Sequence, residues 1–147
     1  MCGFGGIYKR SDISKQQILD AAAYVSFRGP DNTGWSLFDE NFGEVSDKGS
    51  FGVFHNRLSI IDLDQRSNQP YQDKDHLLLF NGEIYNFLDI LAELGELGHT
   101  FTTESDTEVL FVALKVWGKK AVSKLNGMFA FAFLDKNSGA LVISRDR

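Results

Sequence analysis

Leu77-Leu78-Leu79-Phe80 presents no polar face. A continuous apolar run of this kind reads as a strand buried on both sides. The chain must therefore place a layer of structure against each face of that strand. Helical candidates lie on both sides of it in sequence. Ser14, with Gln17 three residues on, predicts a capping box that opens a helix running to about Val25, with Ile18, Leu19, Ala22 and Val25 along one face. Asn86 opens a second helix, carrying Phe87, Leu88, Leu91, Leu94 and Leu97 near helical spacing and ended by Gly98. Ser105-Asp106-Thr107-Glu108 predicts a second capping box, ahead of a helix that presents Val109, Leu110, Ala113, Leu114 and Trp117 to a core.

Strands are expected on either side of these helices. Phe4 to Tyr8 reads as the first, thinned by Gly5 and Gly6, and Trp35 to Phe38 and Gly52 to His55 follow. Leu58 to Ile61 continues as an apolar run, and the polar, Pro70-containing stretch from Gln65 to Lys74 is expected to be a loop. Met128 to Asp135 and Ala140 to Ser144 form a hairpin through Lys136-Asn137-Ser138-Gly139. The residues alone therefore give an α+β fold, one domain in 147 residues, with buried strands between helices in a layered sandwich.

Composition narrows the partners. The net charge of −5 without a Lys/Arg cluster argues against nucleic acid. The longest apolar run, Met128 to Leu134, is too short for a membrane span, and Lys9 and Arg10 interrupt any signal sequence. A single cysteine excludes an internal disulfide and a cysteine-rich zinc site and points to a reducing, cytoplasmic setting. His55, His76 and His99 lack ligand spacing, so no metal is expected.

That single cysteine is Cys2. Once Met1 is removed, Cys2 carries a thiol and a free α-amine, groups that ordinarily titrate within about one pH unit of each other. A nucleophile and its base then share one residue, and no second side chain is needed to activate the sulfur. The plainer alternative is a small apolar residue at a frayed terminus.

Four further stretches mix polar residues with apolar neighbours. In His55-Asn56-Arg57-Leu58, Arg57 at a strand edge could hold a carboxylate through paired N–H···O bonds, or simply form a surface ion pair. Asn81-Gly82, between apolar runs, fits a hairpin turn as well as it fits an oxyanion hole built from the Asn81 amide and the Gly82 N–H. Asp106 is a first-turn acid suited to the helix dipole, and facing a cleft it could pair with a substrate ammonium. Arg28-Gly29-Pro30-Asp31 is a turn, with no role legible beyond shaping the chain.

Taken in order, these pieces resemble one family. Met1-Cys2-Gly3, Arg28-Gly29-Pro30-Asp31, Arg57-Leu58-Ser59-Ile60-Ile61-Asp62, Gln69-Pro70, Asn81-Gly82-Glu83-Ile84-Tyr85-Asn86, Ser105-Asp106-Thr107-Glu108, Leu125 to Ala132 and Ser144 to Arg147 together resemble the N-terminal glutaminase domain of glutamine-dependent asparagine synthetases. These are class II glutamine amidotransferases among the N-terminal-nucleophile hydrolases. The resemblance implies a four-layer αββα sandwich. It implies Cys2 as nucleophile, Asn81 and Gly82 as the oxyanion hole, and L-glutamine as substrate. Arg57 would hold the substrate α-carboxylate and Asp106 its α-amine, with Glu83 nearby and the Leu58, Ser59, Ile60 and Ile61 backbone lining the pocket.

One departure is Phe27, where the family often has a polar residue. The family also continues past Arg147 with further strands and a synthetase domain, so residues 1–147 read as an incomplete amidotransferase domain. ATP and Mg are expected only in that absent synthetase domain, with no cofactor in this one, and a homodimer is compatible with the resemblance. Two rival readings remain beside the asparagine synthetase one. One is a non-catalytic glutamine-binding or docking domain. The other is an amidotransferase acting on a sugar acid or another carboxylate.

Overall fold

The computed structural model describes residues 2–58, 68–103 and 105–147. Its elements run β1 (Gly3–Ser14), α1 (Lys15–Tyr24), β2 (Asn32–Phe38), β3 (Lys48–Arg57), β4 (Tyr71–Gln72), β5 (His76–Ile84), α2 (Phe87–Glu96), α3 (Asp106–Trp117), β6 (Gly127–Asp135) and β7 (Ala140–Arg145). The strands form two antiparallel sheets, one ordered β1-β3-β2 and the other β4-β5-β6-β7.

Alternation along the strands explains how the layers assemble. On β5, Leu77 and Leu79 meet Phe38, Val53 and Leu134 between the two sheets. Leu78 and Phe80 point the other way and pack with Ile90 and Leu94 of α2 and with Val109, Leu110 and Leu114 of α3. On β3, Val53 faces the second sheet while Phe54 packs with Ile18 and Ala22 of α1. The result is α1, sheet, sheet, then α2 with α3: an αββα sandwich. Each of the Leu, Ile, Val and Phe side chains among these stabilises the fold by about 1.5–3 kcal/mol through burial.

The expected strand at Leu77–Phe80 thus has both faces covered, all four residues being buried. The first capping box forms in full: Ser14 Oγ accepts the Gln17 N–H at 3.3 Å, and Gln17 Oε1 accepts the Ser14 N–H at 3.0 Å. The final hairpin also forms, its turn held by Asp135, whose carboxylate accepts the Asn137 N–H at 2.9 Å and the Ser138 hydroxyl at 2.7 Å.

Four expectations need correction. First, β1 extends to Ser14 rather than ending at Tyr8, because after a register shift Ile13 pairs with Gly49 and reaches full burial. Second, of the two readings the Asn81-Gly82 residues leave open, the hairpin turn is the one that does not form. The pair lies within β5, opposite Ala130 and Phe129, because β6 pairs along the whole length of β5. Gly82 has φ +151°, and a Cβ there would sit 2.1 Å from the Met128 carbonyl oxygen, which accounts for the glycine. Third, the second capping box does not form. Ser105 caps α3 through the Thr107 N–H at 3.2 Å, but Glu108 turns to Thr102 and Thr103 instead. Fourth, the loop expected over 65–74 contains the two-residue strand β4; its residues 65–67 lie outside the described ones, as do Ser59, Ile60 and Ile61 of the expected apolar run.

Candidate active site

Cys2 directly precedes β1, and Leu58 and Arg28 hold it. Its Sγ lies 3.3 Å from the Leu58 N–H, which donates to it, and 3.8 Å from the Leu58 carbonyl. Its carbonyl accepts the Arg28 Nε–H at 3.1 Å. Arg28 in turn closes a short 3-10 turn, Ser26–Arg28, that leads into Gly29-Pro30-Asp31. Gly29 passes so close to β3 that a Cβ would meet the Asn56 carbonyl oxygen at 2.2 Å, and the Asp31 N–H donates to the Arg57 carbonyl at 3.0 Å. The turn therefore docks the N-terminus against the end of β3. Nothing in the Arg-Gly-Pro-Asp residues alone signalled the Arg28 contact.

Beside Cys2 opens a cavity of about 470 Å³, within the range of small-molecule sites. Arg57, Leu58, Asn81, Gly82, Glu83 and Asp106 all line it together with Cys2. The described residues of the expected set are thus brought to one place, and Ser59, Ile60 and Ile61 lie outside the description. Arg57 ends the central strand of its sheet and is 8 % exposed, so it is buried at the cavity rather than set on the surface. Its Nη1 donates to Asn68 Oδ1 at 2.7 Å.

Asp106 starts α3 and accepts the Ile84 N–H at 3.0 Å through Oδ2. Burial raises its carboxyl above the usual range. Hydrogen bonds from the Ile84 and Thr107 backbone oppose the shift, and the Glu83 charge adds to it. Two acids on one side chain set and a buried guanidinium on another suit a zwitterion, such as the α-carboxylate and α-ammonium of an amino acid.

Gln69 in the cavity wall and His55 behind Phe80 were not legible as functional residues in the sequence. Gln69, 6 % exposed, lines the cavity and pairs with Phe80 on both sides: the Phe80 N–H donates to Oε1 at 2.6 Å, and Nε2 donates to the Phe80 carbonyl at 3.0 Å. His55 is wholly buried with Nε2 3.0 Å from the same carbonyl. Burial lowers its pKa from 6.5 to about 4, partly offset by that hydrogen bond, and the Arg57 charge lowers it further. The ring is therefore neutral with its proton on Nε2. Among the described residues no group of three or more His, Cys, Asp or Glu could hold a metal ion, and no helix is long and apolar enough to cross a membrane.

The arrangement of two sheets between helices recurs in solved structures. Glutamine phosphoribosylpyrophosphate amidotransferase from B. subtilis, solved with ADP and GMP, superposes with a TM-score of 0.74 at 22% identity, over 99% of this chain and 37% of that one. A structure of the allosteric regulatory enzyme of purine biosynthesis gives 0.78 at 21% identity with the same coverage. At such identities the likeness establishes the αββα fold alone.

Family follows from sequence. Residues 1–147 match the family described as "Glutamine amidotransferase domain", and the chain belongs to it. Among curated relatives it is 39% identical to asparagine synthetase [glutamine-hydrolyzing] 1 of Bacillus subtilis, over 99% of this chain and 22% of the relative. It is 33% identical to asparagine synthetase B [glutamine-hydrolyzing] of Escherichia coli, over 99% of this chain and 25% of the relative. The chain therefore spans about a quarter of the length of these proteins.

Proposed function

We propose that this domain hydrolyses the side-chain amide of L-glutamine, with Cys2 as nucleophile. One observation carries the reading: Cys2 lines the same cavity as Arg57, Asn81, Gly82 and Asp106. After removal of Met1, the α-amine of Cys2 takes the thiol proton and the thiolate attacks the amide carbon. Negative charge gathers on the former carbonyl oxygen and meets the Asn81 amide and the Gly82 N–H. Loss of one such donor typically costs about 2.7–4 kcal/mol of transition-state stabilisation. The α-ammonium returns its proton to the departing nitrogen, so that ammonia leaves and a γ-glutamyl thioester remains. Water attacks that thioester, gives its proton to the amine and releases glutamate, restoring the thiol. Arg57 holds the substrate α-carboxylate throughout and Asp106 its α-ammonium, beside Glu83.

In a longer protein of the kind represented by the asparagine synthetases, the ammonia would pass to a synthetase domain and amidate an activated carboxylate, that of aspartate. ATP and Mg would serve that domain, and residues 1–147 would form the glutaminase part, working in the cytoplasm. Ammonia and glutamate release is compared in the wild type and in Cys2→Ala, with intact mass confirming a chain that begins at Cys2. Turnover by the wild type alone is expected, and equal release from both proteins would end the reading.

A further inference from the structure

We infer that Gln69 is a positioning residue for the oxyanion donors Asn81 and Gly82, an inference that rests on the glutaminase function proposed above. The observation behind it is a break in strand pairing. In the β4–β5 ladder Tyr71 lies opposite Leu78. Continued by two residues, that register would put Gln69 opposite Phe80, but β4 begins only at Tyr71. The Gln69 side chain fills the missing place. Its amide takes the Phe80 N–H at 2.6 Å and gives an N–H to the Phe80 carbonyl at 3.0 Å, as a neighbouring strand would. The Phe80 carbonyl has a second lone pair, and His55 Nε2, reaching across from the other sheet, lies 3.0 Å from it.

The Phe80 carbonyl and the Asn81 nitrogen belong to one planar peptide unit, so holding the first sets the second. From that plane the chain runs on into Asn81 and Gly82, both of which line the cavity that Cys2 lines. Gln69 is itself fixed from behind: Gly34 of β2 lacks a side chain where the Gln69 carbonyl passes, and a Cβ there would sit 2.0 Å from that oxygen. Gln69 is 6 % exposed, so no bulk water replaces its amide if it is lost. The expected consequence is specific. Ground-state contacts to the substrate's α-groups come from Arg57 and Asp106, which Gln69 does not hold. The donors whose aim it sets act mainly on charge that develops during reaction.

The test compares steady-state glutamine hydrolysis by the wild type, Gln69→Leu and the near-isosteric Gln69→Glu, which keeps an acceptor for the Phe80 N–H but loses the donor. Calorimetry measures glutamine affinity for each variant in a Cys2→Ala background, and thermal melts check folding. We expect kcat to fall about 10- to 100-fold in both variants, the size of effect a small misplacement of reacting groups produces. The glutamine Kd is expected to change less than about threefold, since uniform binding is untouched. Unchanged kcat, or a loss of affinity that matches the loss of kcat, would overturn the assignment. Failure of both variants to fold would make Gln69 purely structural and overturn it too. Absence of turnover in the wild type would be a separate result, striking the glutaminase function and this inference together.

Discussion

Asp106 faces the strand that carries the proposed oxyanion donors, and its Oδ2 accepts the Ile84 N–H at 3.0 Å. Bonds from the backbone do not offset the burial of this carboxylate, and its pKa is raised, first by burial and further by the Glu83 charge. A raised folded-state pKa means that the native protein binds the proton more tightly than the unfolded chain does. Ionised Asp106 therefore costs stability above its titration range, and the cost disappears as pH falls below it. Asp106→Asn keeps an acceptor for the Ile84 N–H and removes the charge. The variant is expected to melt at or above the wild-type temperature at pH 7, with the difference shrinking in acid. Its glutamine affinity is expected to fall at least about 30-fold, since truncating one partner of a buried charge pair costs about 2–5 kcal/mol. Melting curves at several pH values and calorimetry check both halves; a destabilised variant with unchanged affinity would contradict them.

Glu108 holds the segment that delivers Asp106. Its carboxylate accepts the Thr102 and Thr103 N–H groups at 3.0 and 2.7 Å and both hydroxyls at the same distances, and the residue is 6 % exposed. Burial pushes the Glu108 carboxyl up, but the bonds from Thr103 and Thr102 outweigh it and the net shift is downward. Glu108→Ala leaves these donors without their acceptor. The loss expected is about 2–3 kcal/mol, on the scale of hydrogen bonds to a charged group, or a drop of roughly 4–12 °C in Tm for a chain of this size. Because the folded-state pKa is depressed, the wild type holds this stability above the unfolded carboxyl range and loses it as pH falls through the folded one. The difference between the two proteins should therefore narrow in acid, as denaturant midpoints at pH 7 and in acid would record.

Asn68 serves the other end of the cavity, its Oδ1 accepting Arg57 Nη1 at 2.7 Å. Removing it leaves the guanidinium charge in place but loosens its orientation. A rise in KM of about 5- to 20-fold with kcat within twofold is expected for Asn68→Ala, the signature of weakened uniform binding. Steady-state kinetics decide it, and a lowered kcat at constant KM would place Asn68 elsewhere in the mechanism.

How far the residues announced this site varies for physical reasons. Leu77 to Phe80 gave away a doubly covered strand because burial on both faces leaves no polar position. Ser14 and Gln17 signalled a helix start because both capping bonds are local. Asn81-Gly82 was ambiguous because the same pair suits a turn, and only the distant β6, pairing along the whole of β5, decides between the two. Ser105 and Glu108 carry the spacing of a capping box, yet the hydroxyls of Thr102 and Thr103 draw the glutamate away. Gln69, Arg28 and His55 act through backbone groups far along the chain, and such contacts leave no local pattern to read.

His55 supplies a last prediction, since it is wholly buried and neutral between the sheets. Its pKa falls from 6.5 to about 4, chiefly through burial. Between those values the unfolded chain takes up a proton that the native ring refuses, so stability is full above about pH 6.5 and declines as pH falls toward 4. The slope approaches about 1.4 kcal/mol per pH unit and the total is about 3 kcal/mol across the window. His55→Gln cannot titrate there, and its amide can still offer an N–H to the Phe80 carbonyl. Urea denaturation from pH 7 to 4 should show the wild type losing this increment over and above the losses of its carboxylates, while the variant shows only the latter. Parallel curves for the two proteins would mean that the ring is protonated in the folded state and that the Phe80 carbonyl is held by a charged donor.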